Sequence, residues 1–173
     1  ANGGVEAIAR LADGRFVLFS ETHNRPDGSN SAYIYSGDPV EAGSQATAFG
    51  YRAPMGYRPT DATLLPDGRL LVLNRRVGFP EGFSAKLALL DPALIKSGAA
   101  ITPKVIARLA PPLLVDNMEG LAVTKEAGRT IVWMISDNNF NILQRTILMK
   151  FALDLPNKKP EADSAPGFET FAN

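Results

Sequence analysis

The chain has 173 residues, 45% of them hydrophobic and 21% charged, enough for about one packed domain with a substantial core. Eighteen Lys plus Arg balance eighteen Asp plus Glu, so no net field draws the chain toward nucleic acid or anionic lipid. The absence of Cys excludes a disulfide framework, a thiolate metal site and a Cys nucleophile, and the single His, His23, excludes two-His metal motifs.

Gly4–Leu11 reads as a strand, Asp13-Gly14 as a tight turn and Arg15–Glu21 as the returning strand, because apolar residues alternate on either side of a dipeptide suited to hairpins. Ala32–Tyr35 and Ala46–Tyr51 add two further strands. The pattern recurs at Thr60–Leu65, turns through Pro66-Asp67-Gly68 and returns as Arg69–Asn74, with Lys86–Leu90 and Lys104–Leu109 following. Between these last two, Asp91–Gly98 predicts a helix of one or two turns, with an Asp cap, Pro at the first position and a terminating Gly. A third copy runs from Asn117–Val123 through a turn near Gly128 to Arg129–Asp137, then Thr146–Leu153. After a polar, Pro-broken stretch, Phe168–Phe171 is a candidate last outer strand.

Four-stranded units recurring at such intervals predict an all-β, β-propeller-like fold in which each repeat is a blade. The whole of residues 1–173 reads as one domain, with blades at 2–56, 57–115 and 116–173. Three blades are too few to close a ring, so the expectation is part of a larger, six-bladed propeller or a half completed by a second copy as a homodimer. The start at Ala1 without Met agrees with a processed chain or one lacking N-terminal blades. No run approaches the ~18 apolar residues of a membrane span.

Each hairpin opens on an acid followed by a small residue: Glu6-Ala7, Asp61-Ala62 and Glu119-Gly120, the acids 55 and 58 residues apart. In an antiparallel pair the start of the first strand lies beside the end of the second. Glu6 therefore neighbours Glu21 and His23, Asp61 neighbours Asn74, Arg75 and Arg76, and Glu119 neighbours Asp137, Asn138 and Asn139. If the hairpins are inner strands, these side chains gather at one mouth of a channel. Converging carboxylates favour a hard cation, Ca²⁺ first, with Glu6, Asp61, Glu119 and Asp137 as ligands. Alternatively, crowding raises one carboxyl pKa and supplies a general acid beside an ionised partner. Arg75, Arg76 and Arg145 match phosphate or carboxylate oxygens, and His23 is a candidate acid or base at the mouth. No P-loop, dinucleotide fingerprint, nucleophile elbow or zincin helix is present.

Asp116-Asn117-Met118-Glu119-Gly120-Leu121-Ala122-Val123, then Ile135-Ser136-Asp137-Asn138-Asn139-Phe140 and Gln144-Arg145-Thr146, resemble the C-terminal signature of the phytase-like family, described as having esterase-like activity of phytase. Gly3-Gly4-Val5-Glu6-Ala7 with Ser20-Glu21 is similar to its preceding hairpin. The resemblance implies a propeller related to calcium-dependent phytases, commonly exported by Gram-negative bacteria, hence a periplasmic or secreted location. It implies hydrolysis of a phosphate or carboxylate ester, with Glu6, Glu119 and Asp137 matching the family's recurrent acids and Asn138, Asn139 and Arg145 its recurrent polar residues. Taken with the hairpin positions, Glu6, Glu119, Asp137 and Arg145 are the expected catalytic residues, and Arg75, Arg76, His23, Asn138 and Asn139 the expected substrate contacts. The dense set of basic residues that phytate would demand is absent. A non-catalytic ligand- or protein-binding propeller with structural calcium is the alternative.

Overall fold

The computed structural model describes residues 4–154. Among these residues twelve strands form: β1 (Val5–Arg10), β2 (Phe16–Asn24), β3 (Asn30–Tyr35), β4 (Ala46–Tyr51), β5 (Arg58–Leu64), β6 (Leu70–Gly78), β7 (Gly82–Leu90), β8 (Ala100–Ile101), β9 (Lys104–Leu109), β10 (Met118–Glu126), β11 (Arg129–Ser136) and β12 (Leu148–Leu153). They make three sheets, in the orders β1-β2-β3-β4-β8, β5-β6-β7-β9 and β10-β11-β12. Every neighbouring pair is antiparallel except β4 and β8. The all-β class expected from the sequence is what the chain adopts, and among the described residues no helix is long and apolar enough to cross a membrane.

The first two sheets open on the same hairpin for the same reason. Leu11 and Leu65 each donate a backbone N–H to the Arg that follows the Asp-Gly pair, and Asp13 and Asp67 each accept from that Arg's own amide. Gly14 (φ 90°) and Gly68 (φ 85°) take the left-handed conformation that the turn demands.

The sheets stack face to face. Ala7, Ala9, Val17, Phe19, Ile34, Phe49 and Tyr51 of the first sheet pack on Ala62, Leu70, Val72 and Leu90 of the second. Leu71, Leu73, Ala85, Leu87 and Leu89, on the other face of the second sheet, pack on Met118, Val132 and Met134 of the third. Being covered on both sides, β6 is apolar at every position from Leu70 to Leu73 rather than alternating. Where β6 turns polar, the buried Asn74 side chain accepts from the Tyr51 hydroxyl at 3.0 Å and donates to the Val72 carbonyl at 3.1 Å. Without such a partner that hydroxyl would be costly to bury. The first strands of the three sheets lie side by side, β5 between β1 and β10.

Two sequence expectations need correction. Asp91 does cap a turn, accepting from the Ala93 amide, but only Pro92–Leu94 winds, as a 3-10 turn. Ala100–Ile101, unread in the sequence, leaves the second repeat and adds in parallel to β4 of the first sheet. Gly50 allows that approach, because a Cβ there would collide with Ser29 and Ala100. The third sheet has three strands among the described residues, and Phe168–Phe171 lies outside them.

Candidate functional site

Each first strand carries a bulge near its start, where one extra residue interrupts the pairing. Glu6 lies between paired Val5 and Ala7, Thr60 between Pro59 and Asp61, and Glu119 between Met118 and Gly120. The structural counterpart of Glu6 and Glu119 is thus Thr60, and Asp61 stands one residue further on. Because successive residues point to opposite faces, that single step changes what Asp61 meets. Its carboxylate accepts from the Ala62 amide at 2.8 Å and from the Leu121 amide of β10 at 2.6 Å. Thr60 reaches the same neighbour strand, donating to the Met118 carbonyl at 3.0 Å. Both side chains stitch β5 to β10.

The opposing strands repeat the alignment. Ser20, Asn74 and Ser136 pair with the residue before each bulge, so Glu21, Arg75 and Asp137 are the next residues and occupy equivalent places. Arg75, from the middle sheet, reaches to both sides. Its Nη2 meets Glu21 Oε1 at 2.7 Å in the first sheet, and its Nη1 meets Glu119 Oε1 at 3.0 Å in the third. The same Nη1 donates to Asn117 Oδ1, and Asn117 is buried. Glu6, Glu21, Arg75, Asn117 and Glu119 therefore form one cluster drawn from three sheets. Burial pushes the Glu119 carboxyl above the usual glutamate range; Arg75 and Asn117 oppose the rise, and Glu21 and Glu6 add to it.

Asp137, Asn138, Asn139, Arg145 and Arg76 have hydrogen bonds or contacts of their own. Asp137 Oδ1 accepts from the Asn139 amide, Asn138 Oδ1 from the Phe140 amide, and the Asn139 side chain donates to Gln144. These residues shape the turn after β11, where Asn139 (φ 47°) and Phe140 (φ 53°) are left-handed. Arg145 enters through its backbone: its amide donates to the buried Asp116 carboxylate and its carbonyl accepts from Ser136. Arg76 lies against Gly56 and Gly78 and approaches Glu81 at 3.7 Å. His23 lies on β2, near its end.

Calcium would need several of the four expected acids on one point. Asp61 is held by backbone amides, Glu119 by a guanidinium and Asp137 by its own turn. Among the described residues no group of three or more acid or imidazole side chains is placed to hold a metal ion. The donor set does not fit a calcium centre, and at Glu119 the neighbouring positive charge is Arg75. The sequence placed Glu21 beside Glu6 but gave it no role, and Asn117 entered only as part of the motif that opens the third repeat.

Beside the cluster opens a cleft of about 420 Å³, lined by Glu21, Thr22 and Asn24 on one side and by Ala53, Pro54, Met55 and Arg58 on the other. Three stacked, mainly antiparallel sheets that gather a charged cluster where their first strands begin define an all-β scaffold with its polar site at the strand ends. The chain belongs to the phytase-like family: the family profile described as esterase-like activity of phytase matches residues 1–140. That span holds the Glu119-Gly120 and Ser136-Asp137-Asn138-Asn139-Phe140 motifs and ends before Gln144-Arg145-Thr146. No curated protein and no solved structure matches the chain.

Proposed function

We propose that the chain is a phytase-like ester hydrolase whose reacting group is Glu119, and that its three sheets are consecutive blades of a propeller. The observation that carries the catalytic reading is a partly buried carboxyl, raised in pKa, in contact with a guanidinium whose other partner, Glu21, lines an open cleft. Ionised Glu119 accepts a proton from water as that water attacks the ester carbon or phosphorus, and the ester bond breaks to release an acid and an alcohol. Arg75 keeps the carboxylate oriented and offsets the negative charge that develops nearby. Glu21 and Asn117 hold Arg75 in place. The propeller reading is supported by the side-by-side first strands and by the two-sided burial of the middle sheet.

Glu119→Gln tests the assignment. With carboxylate and phosphate monoesters as substrates, turnover should fall by about 10²- to 10⁴-fold while the far-ultraviolet spectrum and melting temperature persist. Unchanged turnover removes Glu119 from the reaction. An arm with added calcium and one with chelator accompany the assay; the cluster described above predicts the same rate in both. Binding without turnover in the wild type favours the non-catalytic propeller instead.

A further inference from the structure

Arg58 and Arg75 stand directly opposite one another across β5 and β6. Like charges at directly opposed positions repel, so such a pair persists where each cation has a partner. Arg75 has Glu21 and Glu119. Arg58 has no acid: among the described residues it makes no ion pair or side-chain hydrogen bond, and it lines the cleft. On the same wall Met55 is 93% exposed, next to Ala53 and Pro54, although nothing in the core requires an apolar side chain there.

Both walls are fixed before any ligand arrives. On one side, Arg25 donates to the Gly98 carbonyl at 2.9 Å and Arg52 approaches Asp27 at 3.4 Å, tying down the β2–β3 turn. On the other, the Tyr57 hydroxyl shares a 3.0 Å hydrogen bond with Ser84, and the Lys86 ammonium sits 4.4 Å from the centre of the Tyr57 ring. Preformed clefts lose little ordering entropy on binding.

We propose that this cleft binds a monoanionic amphiphile, its carboxylate or phosphate head on Arg58 and its apolar tail along Ala53, Pro54 and Met55. Polyanions are disfavoured. Glu21 lines the same cleft as Arg58, so each further anionic group on a ligand would approach a carboxylate rather than a second unpaired cation. The proposal deepens the hydrolase reading by naming the class of ester, or of its acid product, that the cleft selects.

Titration calorimetry with the chain tests it, using the monoanionic diester methyl octyl phosphate and octanoate below their micelle concentrations, with dimethyl phosphate, acetate and tripolyphosphate alongside. The octyl compounds should bind at least about tenfold more tightly than their one- and two-carbon counterparts, a gap that several buried methylenes readily supply. Tripolyphosphate should bind no more tightly than dimethyl phosphate. Arg58→Gln should weaken both octyl ligands by about tenfold, and Met55→Asn should remove the dependence on chain length. The stronger of the two octyl ligands identifies the preferred head. Tighter binding of tripolyphosphate, wild-type binding by Arg58→Gln, or affinity independent of chain length would each overturn the proposal, as would no binding at all. Because the readout needs no turnover, a chain that binds without hydrolysing sinks the hydrolase reading alone. One that hydrolyses without selecting the octyl tail sinks this inference alone.

Discussion

Arg75 illustrates how position within a repeat, rather than residue type, decides a role. The same place holds Glu21 in the first sheet and Asp137 in the third, and only in the middle sheet does a cation find carboxylates on both sides. Glu119 and Asp61 both have carboxyls raised by burial, so the folded chain holds protons that the unfolded chain has released. Their contribution to stability is fully present below the ordinary carboxylate range and is lost as pH rises through the raised values. Exposed Asp13 and Asp27 are lowered by hydrogen bonds from Arg15 and Ser29 and act in the opposite sense, weakened by solvent screening. Urea unfolding of the wild type and Glu119→Gln between about pH 4 and pH 8 should therefore show a shallower decline with rising pH in the variant. Superimposable curves would remove burial as the cause of the Glu119 shift. Glu6, Arg75 and Glu119 were legible in the sequence because hairpin geometry places them. Asp137 sits where the hairpin geometry puts it, but its carboxylate and the side chains of Asn138 and Asn139 hydrogen-bond within the turn, and side chains in a turn that satisfies itself look, in sequence, like side chains available for a ligand.

The strands were the most legible elements: β4 and β9 coincide with the predicted spans, and the Asp-Gly turns fix the hairpins. What escaped was the bulge. An extra residue in one strand leaves no compositional mark, so aligning acid with acid put Asp61 opposite Glu6 where the pairing puts Thr60. The displaced Asp61 has its own consequence, because it accepts amides from both β5 and β10. Asp61→Asn keeps the size but can accept through one oxygen only, leaving an N–H facing the new amide. The expected loss is about 1–3 kcal/mol, read from the urea midpoint. A midpoint within experimental scatter of the wild type would show that the β5–β10 stitch rests on Thr60 and packing instead.

At the scale of the whole molecule, the middle sheet is covered on both faces and the outer two on one face each. Ile8 and Tyr33 on the first sheet, and Ile135 and Leu148 on the third, remain exposed. In the propeller reading these faces receive neighbouring blades, and without those the chain should associate with itself. Light scattering should show a mass that rises with concentration, and Ile8→Lys combined with Leu148→Lys should return it to the monomer value. A monomeric wild type at every concentration would show that these faces need no cover. The stray strand β8 bears on how such a chain is made. The third sheet uses one continuous stretch, but the first sheet's fifth strand lies beyond β7 in the chain. A chain emerging from the ribosome therefore cannot finish its first sheet until most of its second has been synthesised. The first two sheets are committed to maturing together, and a nascent chain halted before Ala100 would present an open β4 edge to its neighbours.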